Sequence, residues 1–143
     1  MVRAAVVIVE NRRVALIERV RDRNTYFVFP GGGVVSGESP QQAAVREAHE
    51  ELGVSVELGD LISVAYRNGR EQRYYLASIA GGSFGTGRGT EMMTSGKTAK
   101  GIYRPVWVDL TSLTELDVRP RGLSEALASW TGDGQICWIG EYK

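Results

Sequence analysis

Three glutamates within five residues, Glu47, Glu50 and Glu51, are the part of this sequence best suited to chemistry. At about 100° per residue of α-helix, with Glu47 at zero, Glu51 lies about 40° to one side and Glu50 about 60° to the other. Three carboxylates then crowd one face. Like charges one turn apart destabilise a helix by a few tenths of a kcal/mol, and the negative end of the helix dipole close by makes matters worse. A hard divalent cation resolves the conflict, because magnesium takes carboxylate oxygens and keeps positions open for water and phosphate. The plainer alternative is a solvated acidic helix face. On the far side Val45, Ala48 and Leu52 make an apolar stripe that is predicted to pack on a sheet.

The helix that carries these residues is announced by Ser39-Pro40-Gln41-Gln42. Serine suits the N-cap, proline the first helical position, and glutamine the reciprocal place of a capping box. The helix is predicted to run to about Leu52 and to stop at Gly53. Ahead of it, Gly31-Gly32-Gly33 lets the backbone turn tightly and approach a ligand, with carbonyls able to join a metal shell.

Around the helix the pattern is strand-like. Ala4–Val9 is apolar on both alternating faces, as in a strand buried on both sides of a sheet. A turn at Asn11-Arg12-Arg13 and a partner strand from Val14 to Arg19 make a hairpin. Further strands are predicted at Tyr26–Phe29, Val54–Glu57, Leu61–Tyr66, Arg73–Ile79, Tyr103–Asp109 and Gln135–Ile139, with a second helix at Leu123–Trp130. Gly81 to Gly101 is glycine-rich and polar, which predicts a surface loop. Strands before, between and after two helices indicate an α/β layered sandwich with a mixed sheet.

Composition narrows the function classes. The 143 residues suit one domain, 1–143. Seventeen basic residues balance seventeen acidic ones, which argues against a nucleic-acid polymer as partner but leaves room for a small anionic ligand. One cysteine, Cys137, allows no internal disulfide and reads as a buried thiol. No window approaches the roughly 20 apolar residues of a membrane helix, so the expectation is a cytoplasmic protein with no membrane partner.

Taken together, Gly32-x5-Glu38-x7-Arg46-Glu47-Ala48-x-Glu50-Glu51-x-Gly53-Val54 resembles the Nudix box, with Ala48 where a bulkier aliphatic residue is usual. The resemblance implies a MutT-like Nudix hydrolase with an α/β/α sandwich and a mixed β-sheet. It implies that Glu47, Glu50 and Glu51 bind Mg2+ or Mn2+, that Gly32 adds a carbonyl, that Arg46 orients the carboxylates, and that Glu38 ties the glycine loop to the helix or sits in the outer metal shell. The reaction implied is attack of water on a phosphorus of a pyrophosphate, with Glu47 or the loop residue Glu91 as candidate base and Glu91 alternatively an exposed loop charge. The family resemblance also admits a homodimer.

For the substrate, a nucleoside triphosphate, oxidised or not, is the first expectation. ADP-ribose, a nucleotide-sugar and a dinucleoside polyphosphate are alternatives. Arg67, Arg73, Tyr75 and Glu91 are candidate substrate contacts, and Arg19, Arg21, Arg23 and Arg70 could also grip distal phosphates. A non-catalytic nucleotide-binding module is the rival reading; such modules typically lose box glutamates, and this chain keeps all of them. P-loop mimicry at Gly32-x4-Gly37 fails because Glu38 stands where the phosphate-binding lysine belongs.

Overall fold

The computed structural model describes residues 2–87, 97–98, 101–132, 136 and 138–141; Glu91 and Cys137 lie outside them. Strand β1 (Arg3–Glu10) has Ala4 to Ile8 buried on both faces, as its unbroken apolar run predicts. Ala5 and Val7 enter one core cluster and Ala4, Val6 and Ile8 the other. Each face of the sheet carries a helix. Leu123 and Leu127 of α2 (Arg121–Ala128) pack in the first cluster, and Ala43, Ala44, Ala48 and Leu52 of α1 (Pro40–Leu52) in the second.

Among the described residues, ten strands make a mixed sheet. Over Arg3–Ala5 one edge of β1 pairs antiparallel with the short β4 (Gly31–Gly33), and the opposite edge pairs parallel with β6 (Arg70–Gly82). Then come β5 (Val54–Arg67) and β10 (Trp138–Glu141). On the other side β2 (Arg13–Arg21) pairs with β3 (Asn24–Val28) and β8 (Gly101–Asp109). Two short strands, β9 (Val118–Arg119) beside β3 and β7 (Lys97–Thr98) beside β8, complete that half. A 3-10 turn spans Leu110–Glu115. The halves meet at a narrow seam: β1 and β2 pair only at Val9–Val14 and Glu10–Arg13, then diverge.

Most elements are longer than the sequence pattern suggests. Val54–Glu57 and Leu61–Tyr66 are one strand, β5, whose register shifts between Leu58 and Leu61 absorb the polar Gly59-Asp60 interruption as an irregularity of the ladder. The glycine-rich segment is not loop throughout, because Gly81 and Gly82 end β6 and Lys97-Thr98 pairs with Gly101-Ile102. Among the described residues no helix is long and apolar enough to cross a membrane.

Candidate active site

Local rules fix the position of α1. Ser39 Oγ accepts from the Gln42 amide at 3.1 Å while Gln42 Oε1 accepts from the Ser39 amide at 2.9 Å, a complete capping box. Gly53 ends the helix in the left-handed conformation, φ 81°, and donates its N–H to the His49 carbonyl.

The buried face of the helix differs from the expected stripe. Val45 is 37% exposed, whereas Ala43, Ala44, Ala48 and Leu52 are fully buried. The alanines let the helix lie close on β1, and the face they define is rotated toward the carboxylates. The glutamates therefore stand on the rim of the packed face. The Glu47 side chain is only 14% exposed, against 47% for Glu50.

Gly31 and Gly32 bring the backbone against that rim. The Gly31 amide donates to Glu51 Oε1 at 2.6 Å, and Arg3 Nη2 donates to the Gly31 carbonyl at 2.9 Å. A methyl group on Gly32 would overlap the Glu47 carboxylate, with the carboxyl carbon only 2.5 Å away. Glycine there lets the acid stand where it does, since any side chain would have to displace it.

Arg46 is the hub of the loop and helix. It holds Glu38 through Nε at 2.8 Å and Nη2 at 3.0 Å, a bidentate pair. Nη2 also donates to the Gly33 carbonyl at 3.1 Å, and Nη1 lies 3.2 Å from both Glu47 Oε2 and Glu50 Oε2. One guanidinium thus ties the glycine strand to the helix and sets two of the carboxylates side by side. Glu38 reaches back to the loop by accepting from the Val35 amide at 3.2 Å.

The electrostatics follow from these contacts. The hydrogen bond from Arg46 holds the Glu38 carboxyl below its ordinary range. Burial pushes Glu47 up, partly offset by Arg46 and reinforced by the Glu50 charge. Glu38 therefore stabilises the fold while ionised, and that contribution is lost as pH falls from the ordinary carboxylate range through its depressed folded value. Glu38→Gln is expected to flatten the acid limb of the melting-temperature profile below about pH 4.5. An unchanged limb would show that the Arg46 pair contributes nothing.

Glu47, Glu50 and Glu51 line one wall of a cleft of about 660 Å³, which five arginines also line: Arg3, Arg19, Arg67, Arg70 and Arg119. The donor chemistry, three carboxylates beside the glycine backbone, suits a hard divalent ion. The side chains are not closed around one point: among the described residues no three acidic, histidine or cysteine groups gather as a formed metal cage. Arg46 occupies Glu47 and Glu50, and the Gly31 amide occupies one oxygen of Glu51.

The other candidates divide. Arg67 and Arg70 line the cleft, at the turn joining β5 and β6. Arg73 pairs with Glu71, its Nε 2.5 Å from the carboxylate, and is not on the cleft wall; Tyr75 is buried in the core cluster beneath α1. Beyond Arg70, the residues of β6 that line the cleft are Gln72 and Tyr74, because side chains alternate along the strand. Tyr74 OH donates to Gln72 Oε1 at 3.0 Å. Arg3, Tyr26, Tyr103 and Arg119 also line it and escaped the sequence reading. Their only shared signal is strand register, which composition does not reveal. His49 is exposed, on the helix surface.

Residues 1–127 match the family model described as the NUDIX domain. Diphosphoinositol polyphosphate phosphohydrolase 2 of Mus musculus is 42% identical over 50 residues, which is 35% of this chain and 28% of that protein's length. Among solved structures, a mutator MutT protein from Bacillus halodurans superposes with a TM-score of 0.68 at 17% identity, over 98% of this chain and 87% of that one. An ADP-ribose pyrophosphatase from Streptococcus suis gives 0.64 at 16% identity, over 99% and 98%. At these identities the structural likeness speaks for the fold.

Proposed function

Because the chain belongs to the Nudix family, we propose that it is a metal-dependent pyrophosphohydrolase, opening a phosphoanhydride bond of a nucleoside diphosphate-linked substrate by attack of water on phosphorus. The observation that carries this reading is the Glu47 carboxylate, largely withdrawn from solvent and pushed up in pKa by burial, beside Glu50 and Glu51 on the wall of an arginine-lined cleft. An acid in such a place gains from a bound cation, and the arginines across the cleft can take up the charge of an anionic ligand.

Glu47, Glu50 and Glu51, with the Gly32 carbonyl, are the groups that would hold Mg2+ or Mn2+. The ion supplies neutralisation of charge on the phosphate oxygens and a more acidic water. Arg46 holds Glu47 and Glu50 in place and Glu38 holds Arg46. Glu47, less exposed than Glu50 and pushed up by burial, suits the role of proton acceptor. The cleft arginines would neutralise the remaining phosphate charge.

A nucleoside triphosphate, oxidised or not, is the proposed substrate. The named activities of the similar proteins keep ADP-ribose, and more broadly other pyrophosphate compounds, as the alternatives. The test is a panel of nucleoside triphosphates, oxidised nucleotides, ADP-ribose, nucleotide-sugars and dinucleoside polyphosphates with magnesium, and again with a chelator. Phosphate or pyrophosphate release that needs the metal is expected. Nucleotide binding with no turnover of any panel member would instead mark a binding module.

A further inference from the structure

Strand β2 places Arg19 between two aromatic rings. Register pairs Arg19 with Tyr26 of β3 on one side and with Tyr103 of β8 on the other. The Arg19 guanidinium carbon lies 4.0 Å from the Tyr103 ring centre and 5.4 Å from that of Tyr26. Tyr26 is covered from its other neighbour as well, by Arg119, at 4.1 Å. Arg119 pairs with Val28, two residues beyond Tyr26 and so on the same face. Four strands thus contribute one row, Tyr103–Arg19–Tyr26–Arg119, and all four side chains line the cleft that holds the glutamates.

The two arginines of the row differ. Asp117 anchors Arg119, accepting from Nε at 3.2 Å and Nη2 at 3.0 Å. Arg19 has no carboxylate within ion-pair distance among the described residues, and its Nε is buried with no hydrogen-bond partner. A buried guanidinium N–H with no acceptor, on a group with no counter-ion in reach, is unfavourable unless a ligand supplies both. Rings cover the faces of the group, which leaves its N–H edge for contact, and that edge matches the oxygens of a phosphate. The row continues into a second hollow of about 510 Å³, shared through Tyr26, Arg67 and Arg119 and lined also by Arg21 and Arg23.

We infer that this row is an anion subsite in which Arg19 binds a phosphate of the substrate other than the one being cut. The inference rests on the cleft being the substrate site, as proposed above. It assigns the substrate to compounds with a phosphate chain or a separate phosphate ester beyond the scissile bond. A substrate whose far end is a neutral sugar leaves Arg19 without a counter-ion.

Calorimetric titration of inorganic tripolyphosphate into the full chain, with chelator present so that no metal bridges it to the glutamates, isolates the subsite. Arg19→Met is expected to weaken binding at least about tenfold, the scale of one charge-assisted contact. Arg19→Lys keeps the charge, loses the planar fork, and is expected to recover only part of the affinity. It also carries the test if the methionine variant fails to fold. Equal affinity in the parent and either variant, or no binding by the parent, overturns the subsite. Glu50→Gln separates the two readings: it is expected to bind tripolyphosphate as the parent does while losing metal-dependent turnover. Normal turnover in Glu50→Gln alongside lost binding in Arg19→Met would overturn the catalytic assignment and leave the anion subsite standing.

Discussion

Glu50→Gln is expected to lower turnover by about a thousandfold at saturating magnesium while melting within about 4 °C of the parent. The side chain is 47% exposed and meets Arg46 Nη1 at 3.2 Å, an exposed pair of the kind that contributes at most about 1 kcal/mol. For a chain of this length that corresponds to a shift of roughly 2–4 °C. Its proposed share in holding the ion is another matter. Metal stabilisation of transition-state charge amounts to several kcal/mol, and about 4 kcal/mol corresponds to three orders of magnitude in rate. Steady-state kinetics and a thermal melt on one preparation check both halves. A near-parent rate would mean that the three glutamates do not form the metal site.

Neighbouring glycines should give opposite results when each is changed to alanine. At Gly31 the new methyl would overlap the Ala4 carbonyl and lie 2.6 Å from Ala5 Cβ and 2.7 Å from Ala5 Cα, all on the buried strand β1. Backbone in the core cannot move aside, so Gly31→Ala is expected to destabilise the fold by about 3 kcal/mol. That is a fall of roughly 6–12 °C in melting temperature. At Gly32 the methyl meets the Glu47 carboxylate, which can rotate away. Gly32→Ala should therefore keep most of its stability and displace Glu47, with a loss of about a hundredfold in kcat, the scale on which a misplacement of about 1 Å acts. If Gly32→Ala melted like Gly31→Ala, or ran at the parent rate, the contact between loop and acid would have no functional meaning.

How much of this was legible in the sequence depends on the kind of signal. The helix ends were readable because caps are local: Ser39, Gln42 and Gly53 act within four residues. The grouping of Glu47, Glu50 and Glu51 was readable because helical angles are fixed by the period. The face of the helix that packs was not, since Val45 and the alanines compete and only the depth of the sheet decides for Ala43, Ala44, Ala48 and Leu52. Strand β6 shows the same limit. Arg73, Tyr74 and Tyr75 put polar and aromatic groups on both faces, so the pattern did not show that Tyr74 packs in the core on the cleft side and Tyr75 in the core beneath α1. The row through Arg19 depends on pairings between residues up to 91 positions apart, Val28 with Arg119, and no local pattern encodes that.

The narrow junction between β1 and β2 has a consequence for how such a molecule can change. The acids, the glycine strand and Arg46 belong to β4 and α1, on one bank of the junction; the cation–ring row belongs to β2, β3, β8 and β9, on the other. Descendants could therefore rewrite part of their ligand contacts on the second bank while inheriting the proposed bond-breaking residues of the first untouched. Recruitment to a new metabolite would then require a handful of exchanges along four strands, with no retuning of the helix.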